Sequence, residues 1–262
     1  MSASVMEAFD VDLFQGTQAR GSRFVDDFNQ LRETAPVFYS PGSQAWILTR
    51  YQDVADMMMG KFPLQNGGRE AFIFQAIPEA EWQARIPNLV TQVPLWIVST
   101  DTDKHARLRR MLMAAFNRKI VDAAREYARF RAGELLDQAL NEKGGVVEFN
   151  EQFGRAMAGY VLFKLIGMPE EVFPKLKDWA TWVMECFGGA GIPSAEKLER
   201  AEKAFAAMNA VVKTELEKRR VEPRDDLITT LLQASEAEGE QALTLDEIYA
   251  QMHVIIIAGH DT

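Results

Sequence analysis

Apolar residues recur at spacings of three and four along almost every long segment of the chain, whereas alternation of Val, Ile and Thr is confined to short pieces. This pattern predicts a mainly α fold. Ser22 is placed to cap a helix running to about Thr34. Pro36 then forces extended backbone into VFYS, and the PGSQ turn and AWILT complete one small N-terminal β-hairpin. Thr49 is placed to cap RYQDVADMMM, which Gly60 ends. From Lys61 to Thr100 the periodicity lapses, and Pro63, Gly67, Gly68, Pro78, Pro87 and Pro94 sit beside Phe72, Phe74, Trp82 and Trp96. This reads as a long loop, either a substrate lid or an irregular surface packed by its own aromatics.

The helical pattern resumes from Asp103 to Asn141 with a break near Asn117, and Gly144 and Gly145 stop it before a short strand, VVEF. A helix from Asn150 carries Phe153, Met157, Val161 and Leu165 on one face and ends at Gly167, where Pro169 starts another. Helices over about Glu171 to Phe187 and Ser194 to Arg220 flank a Gly188 to Pro193 turn, the second strongly charged on its exterior. PRDDLITTLLQAS is a short helix with Asp225 and Asp226 at its positive end, and EAEGEQA a surface loop. In the last helix Thr244 and Glu247 form a capping box, and the run Val254 to Ala258 is that of a core helix. It meets His260, Asp261 and Thr262 without a Gly or Asn cap, which reads as a helix that continues in a longer parent.

The length of 262 residues allows one large domain or two small ones, and a hydrophobic fraction of 47% with 26% charge excludes disorder as the main state. A net charge of −9 disfavours nucleic acid and acidic membranes as partners. The single cysteine, Cys186, excludes an intramolecular disulfide and a multi-thiolate zinc site. With neither a leader nor an apolar run long enough to span a bilayer, this predicts a cytoplasmic chain. One segment opposes the overall charge: Lys104 to Arg131 holds nine Lys or Arg against Asp122 and Glu126. A basic stripe of this kind is either a solvated helix face or a site for anions or an acidic partner.

Candidate chemistry is sparse. His105 and Arg109, four apart, leave one helix face together and can converge on a single anionic group. His253 and His260 are two full turns apart, about 10 Å, too far to share one metal ion. Cys186 has no basic neighbour in sequence to lower its pKa and reads as a buried small hydrophobe. In AGHDT, Ala258 to Thr262, a glycine, an acid and a hydroxyl share an otherwise apolar helix. Gly259 permits close backbone approach, and Asp261 and Thr262 are able to relay protons to a bound group. A plain helix end with Gly259 as its breaker is the alternative.

IIIAGHDT resembles the oxygen-binding helix motif of the cytochrome P-450 superfamily of haem-thiolate monooxygenases. STDTDKHARLRRMLMAAFNRK is similar to the family's helix bearing an H-x-x-x-R pair. VVEFNEQFGRAMAGYVLFKLIGMPEE and EPRDDLITTLLQASEAEGEQALTLDEI resemble soluble bacterial members in the same order. The resemblance implies a P-450-like helical fold with a small N-terminal hairpin, incomplete at the C-terminus, as one domain over 1–262. Residues 61–100 would be the lid, 103–117 the haem-propionate helix and 244–262 the start of the oxygen-binding helix. His105 and Arg109 would donate to the propionates of haem b, Ala258 and Gly259 would border the oxygen pocket, and Asp261 and Thr262 would deliver protons to dioxygen. Electrons would come from NAD(P)H through a redox partner, an acidic ferredoxin-type protein for which Arg110, Arg118 and Lys119 are candidate contacts. The substrate would be a small apolar organic molecule, with no nucleic acid or membrane as partner.

The family's E-x-x-R pair and cysteine-ligand loop are not found among these residues, and in FGGAG the glycines follow Cys186, the reverse of the ligand loop. No metal ligand is therefore assigned, and the chain by itself is expected to be inactive. The alternatives are a truncated, non-catalytic helical ligand-binding or interaction module, and a two-chain enzyme whose proximal half is supplied separately.

Overall fold

The computed structural model describes residues 23–40, 45–142, 146, 148–187 and 192–261. Its first elements are α1 (Arg23–Thr34) and an antiparallel hairpin of β1 (Val37–Ser40) and β2 (Ala45–Leu48), in register Val37 with Leu48 through Ser40 with Ala45. This is the expected hairpin; its PGSQ turn and the Ser22 cap lie outside the described residues. Next comes α2 (Tyr51–Met58), ended by Gly60 at φ +70°. Thr49 does not cap it: Arg50 is the N-cap residue, and the Thr49 hydroxyl donates instead to the Pro36 carbonyl at 3.2 Å, closing the hairpin.

The segment 61–100 departs most from expectation. It is a chain of short helical turns: α3 (Arg69–Phe74), α4 (Trp82–Arg85), α5 (Pro87–Gln92) and 3-10 turns at Glu79–Glu81, Val93–Leu95 and Ile97–Ser99. Phe74, Ile77, Ile86, Leu89, Val93 and Trp96 from it are buried in the main core. Helical periodicity is invisible in elements this short, and two of the four prolines that suggested a loop stand at first-turn positions, Pro87 in α5 and Pro94 in the Val93 turn.

Seven further helices follow: α6 (Thr102–Ala115), α7 (Arg118–Glu142), α8 (Arg155–Ile166), α9 (Phe173–Phe187), α10 (Ala195–Val221), α11 (Leu227–Ala237) and α12 (Leu245–Asp261). The predicted break at Asn117 is real, its carboxamide oxygen accepting from the Ile120 amide at 3.1 Å to start α7. The expected VVEF strand is replaced at its end by a π-turn, Phe149–Gly154, that runs into α8, and Gly144 and Gly145 lie outside the described residues. On α8 the most buried residues are Gly159, Phe163 and Ile166; Phe153, Met157, Val161 and Leu165 are only half-buried. Ser194 and Asp226 cap α10 and α11, accepting from the Lys197 and Thr229 amides at 3.3 and 2.9 Å. Part of the Gly188 to Pro193 turn is outside the described residues. Among the described residues no helix is long and apolar enough to cross a membrane.

The core holds polar groups that periodicity missed on α10. Glu202 is buried and caps α5 across the interface: its carboxylate accepts from the Asn88 and Leu89 amides at 3.2 and 3.0 Å, placing negative charge at that helix's positive end. Farther along, Arg219 is 3% exposed and donates to Asp226 at 2.6 Å, to Glu215 and to the Gly167 carbonyl. Gly167, at φ +92°, has to be glycine, because a Cβ there would lie 2.2 Å from the Asp226 carboxylate. This junction joins the end of α8, the end of α10 and the start of α11.

Because two carboxylates share one buried guanidinium, Arg219→Met is expected to cost about 3–5 kcal/mol of stability by leaving buried Asp226 without a cation and Glu215 with Lys218 alone. Lys119→Met, which breaks the exposed pair with Asp225, is expected to cost no more than about 1 kcal/mol. Urea denaturation of the two variants measures the difference.

Candidate functional site

Helix α6 turns its apolar side, Leu108, Met111, Leu112 and Ala115, into the core. The hydroxyl of Thr230 on α11 donates to the Ala115 carbonyl at 3.0 Å, fixing the helix end. Its start is held differently from an ordinary cap. Asp101 is the N-cap residue, yet its carboxylate accepts from the Asn66 amide at 2.8 Å, the Asn66 carboxamide at 3.0 Å and the Gly67 amide at 3.3 Å. It is a staple to a distant segment, and Thr102 beside it takes the strained φ of +51°.

The cations on α6 divide into held and free. Arg107 donates to Glu247 and, at 2.9 Å, to the Gln241 carbonyl; Arg110 donates to Glu238 at 2.8 and 3.1 Å. The hydrogen bond from Arg110 holds the Glu238 carboxyl below its usual range. Arg109 is exposed and makes no hydrogen bond or ion pair with any described residue. His105 is half-buried, and its Nδ1 meets the Ile97 carbonyl at 3.1 Å, which orients the ring and leaves Nε2 for another partner. One free guanidinium and one anchored imidazole thus share a helix face.

Helix α12 begins with the expected capping box: the Glu247 amide donates to the Thr244 hydroxyl at 3.2 Å and the Thr244 amide to Glu247 at 3.0 Å. Met252, Ile256 and Ile257 are buried. Gln251 is fully buried; its Nε2 donates to the Leu95 carbonyl at 2.7 Å and its Oε1 accepts from the Ile97 amide at 3.1 Å. The Ile97 residue therefore connects His105 of α6 to Gln251 of α12. Two turns beyond Gln251, about 10 Å along the axis, Ala258 is exposed. Gly259 is not open: a Cβ there would lie 2.7 Å from Leu162 of α8, so its missing side chain serves helix packing. Asp261 closes the helix, with its side chain outside the description, and Thr262 lies outside the described residues. No described contact joins His105 or Arg109 to Ala258 or Gly259. The connection through Ile97 and Gln251 escaped sequence reasoning, and its one signal was a glutamine in an apolar helix.

The profile described as Cytochrome P450 matches residues 95–262, the stretch from Trp96's neighbour to the AGHDT end. The chain belongs to the cytochrome P450 family. The chain is similar to the mycinamicin IV hydroxylase/epoxidase of Micromonospora griseorubida, 27% identical over 238 residues that make up 90% of this chain and 54% of the relative. Among solved structures, that of CalO2 aligns with TM-score 0.75 at 22% identity, over 94% of this chain and 57% of that one. CYP109E1 from Bacillus megaterium in complex with testosterone aligns with TM-score 0.72 at 25% identity, over 95% and 59%. This P450 chain spans about half the length of the relatives it matches, and its fold, mainly helical with a two-stranded sheet, is that of the family.

P450 proteins use haem b, and the free donors on α6 fit its propionates: a guanidinium and an imidazole suit carboxylates, and Arg109 has no competing partner among the described residues. Cys186 does not fit as the iron ligand. It is buried on α9, and burial first, then the charge of Glu185, pushes its thiol up to about 11. The thiolate is the reactive form, so iodoacetamide at pH 8 is expected to leave native Cys186 unmodified and to alkylate it fully once the chain is unfolded in guanidinium. Mass spectrometry of the intact protein reads both states.

Proposed function

We propose that this chain is the dioxygen-handling part of a haem-dependent monooxygenase that inserts one oxygen atom into an apolar organic substrate. The observation that carries the proposal is the unpaired Arg109 beside the anchored His105, on a helix whose other arginines are tied down. The names of relatives, hydroxylase and epoxidase, support oxygen insertion as the reaction class. Haem, when bound, supplies the activation of dioxygen.

The residues of this chain bind, orient and move protons. Arg109 donates to one propionate through its planar guanidinium. His105, with Nδ1 on the Ile97 carbonyl, would turn Nε2 to the other. Ala258 gives a small wall to the oxygen pocket, and Gly259 belongs to that wall through its backbone. Asp261 and Thr262, an acid and an alcohol, would relay the protons that dioxygen chemistry consumes. The segment 61–100 covers the substrate from one side.

Electrons come from NAD(P)H through an acidic ferredoxin-type protein. Of its proposed contacts, Arg110 pairs with Glu238, Arg118 with Asp122 and Lys119 with Asp225, all exposed, so their field is partly neutralised before any partner arrives. Steering by what remains makes electron transfer slow as ionic strength rises, and a salt-independent rate excludes this docking mode.

The test of the main proposal is haem retention and coupling in the protein expressed with its iron-ligating cysteine. Arg109→Ala and His105→Ala are expected to weaken haem binding about tenfold each, with Arg110→Ala close to wild type. Asp261→Asn and Thr262→Ala are expected to keep the haem spectrum but lower product formed per NAD(P)H consumed by about tenfold or more. Unchanged haem affinity in both α6 variants would overturn the site assignment.

A further inference from the structure

His253 is the most completely buried titratable group of the core, 0% exposed on α12, and neither ring nitrogen has a hydrogen-bond partner. Phe205 of α10 stands edge-on to it, with ring centroids 4.4 Å apart. Two further buried polar groups lie on the Gln92–Trp96 segment, which packs against α12. Trp96, 7% exposed, stacks on the same Phe205 ring at 6.1 Å and has an unpaired, buried Nε1–H. Gln92, 1% exposed at the end of α5 and four residues before Trp96, has an unpaired Oε1.

These groups define the ligand by elimination. Burial holds His253 neutral, its pKa down at about 3, so the ring presents one N–H and one lone pair. Trp96 adds a donor and Gln92 an acceptor. A ligand satisfying this set has to donate and accept at once, which neither a simple anion nor a metal cation does. Among the described residues no group of three metal-ligating side chains exists. An organic alcohol has no route from solvent to a ring so fully enclosed. Leaving buried polar groups unmet costs more than immobilising a small molecule that bonds to several of them. We propose that the His253 ring is hydrated within the core, by water that links α12 to the Gln92–Trp96 segment. Water is the one ligand that is small, neutral and amphoteric, and internal waters make about three such bonds.

The placement gives this water a structural consequence. Gln251 already fastens α12 to the residues on either side of Trp96, Leu95 and Ile97. The hydrated His253 fastens the preceding turn of that segment to a different side of the same helix. Both ties lie between the lid segment and the helix that ends in AGHDT.

The decisive experiment is a crystal structure of the complete, ligand-loaded protein at a resolution that shows its other buried waters. The expected result is an oxygen at about 2.7–3.2 Å from a His253 ring nitrogen, bonded also to Gln92 Oε1 or Trp96 Nε1. Empty density around the ring, or a ring bonded directly to a protein atom, overturns the proposal. Thermal unfolding of two variants gives a second reading: His253→Leu, which strands the water's other partners, is expected to lower the midpoint by about 3 °C or more, and His253→Gln, which can hold it, by less than half as much. A midpoint that Leu leaves unchanged or raises, or that Gln lowers as far as Leu, overturns it too.

Discussion

The guanidinium of Arg219 sits where three helices would otherwise have nothing in common but apolar contact. It collects the carboxylates of Glu215 and Asp226 and the last carbonyl of the α8 turn, at Gly167. All of these groups are shielded from water, so each is satisfied in one arrangement only, and the relative placement of α8, α10 and α11 follows from that demand. The two helices with candidate chemistry lean on this frame from opposite sides. Helix α6 is fastened to α11 through Thr230 and Arg110, and α12 is pressed on α8 where Leu162 fills the place of a Gly259 side chain.

Between α6 and α12 run a direct ion pair, Arg107 with Glu247, and one shared stretch of backbone. Ile97 offers its carbonyl to His105 and its amide to Gln251, so the orientation of the imidazole on one helix depends on a buried carboxamide in the other. Asp101 adds a second constraint by giving up the cap of α6 to hold Asn66 and Gly67. Segment 61–100 is thereby stapled at its two ends and, through Phe74, Leu89 and Trp96, built into the core between them.

Charge on the surface follows the same economy of partners. Seven of the nine cations in the basic stripe are matched by acids brought from elsewhere or from the next helical turn: Glu247, Glu238, Asp225, Asp122, Glu126 and Glu134. Only Lys104 and Arg109 are left without an acid among the described residues, and of these Arg109 alone carries a guanidinium. A run of like charge in a sequence therefore says little about the field that a partner meets, and the unmatched members carry the chemical information.

By itself the sequence determined what depends on neighbours in the chain: the helical periodicity of α6 to α12, the hairpin, the break at Asn117, the Ser194 and Asp226 caps and the Thr244–Glu247 box. Their hydrogen bonds close within a few residues, and so did the His105–Arg109 spacing and the AGHDT motif that revealed the family. Local rules erred where a long-range partner won, as when Thr49 abandoned α2 for Pro36, or where elements were too short to show a period, as in 61–100. Only the tertiary structure decided which charges are buried, with Glu202, Glu215 and Arg219 looking like any exterior residues of a charged helix. It also decided that Gly259 serves Leu162 and that, among the described residues, Arg109 alone among the arginines of its helix is left without an acid. A buried charge or an unmatched one is defined by groups tens of residues away in sequence, and the distance between such groups comes into being only when the chain folds.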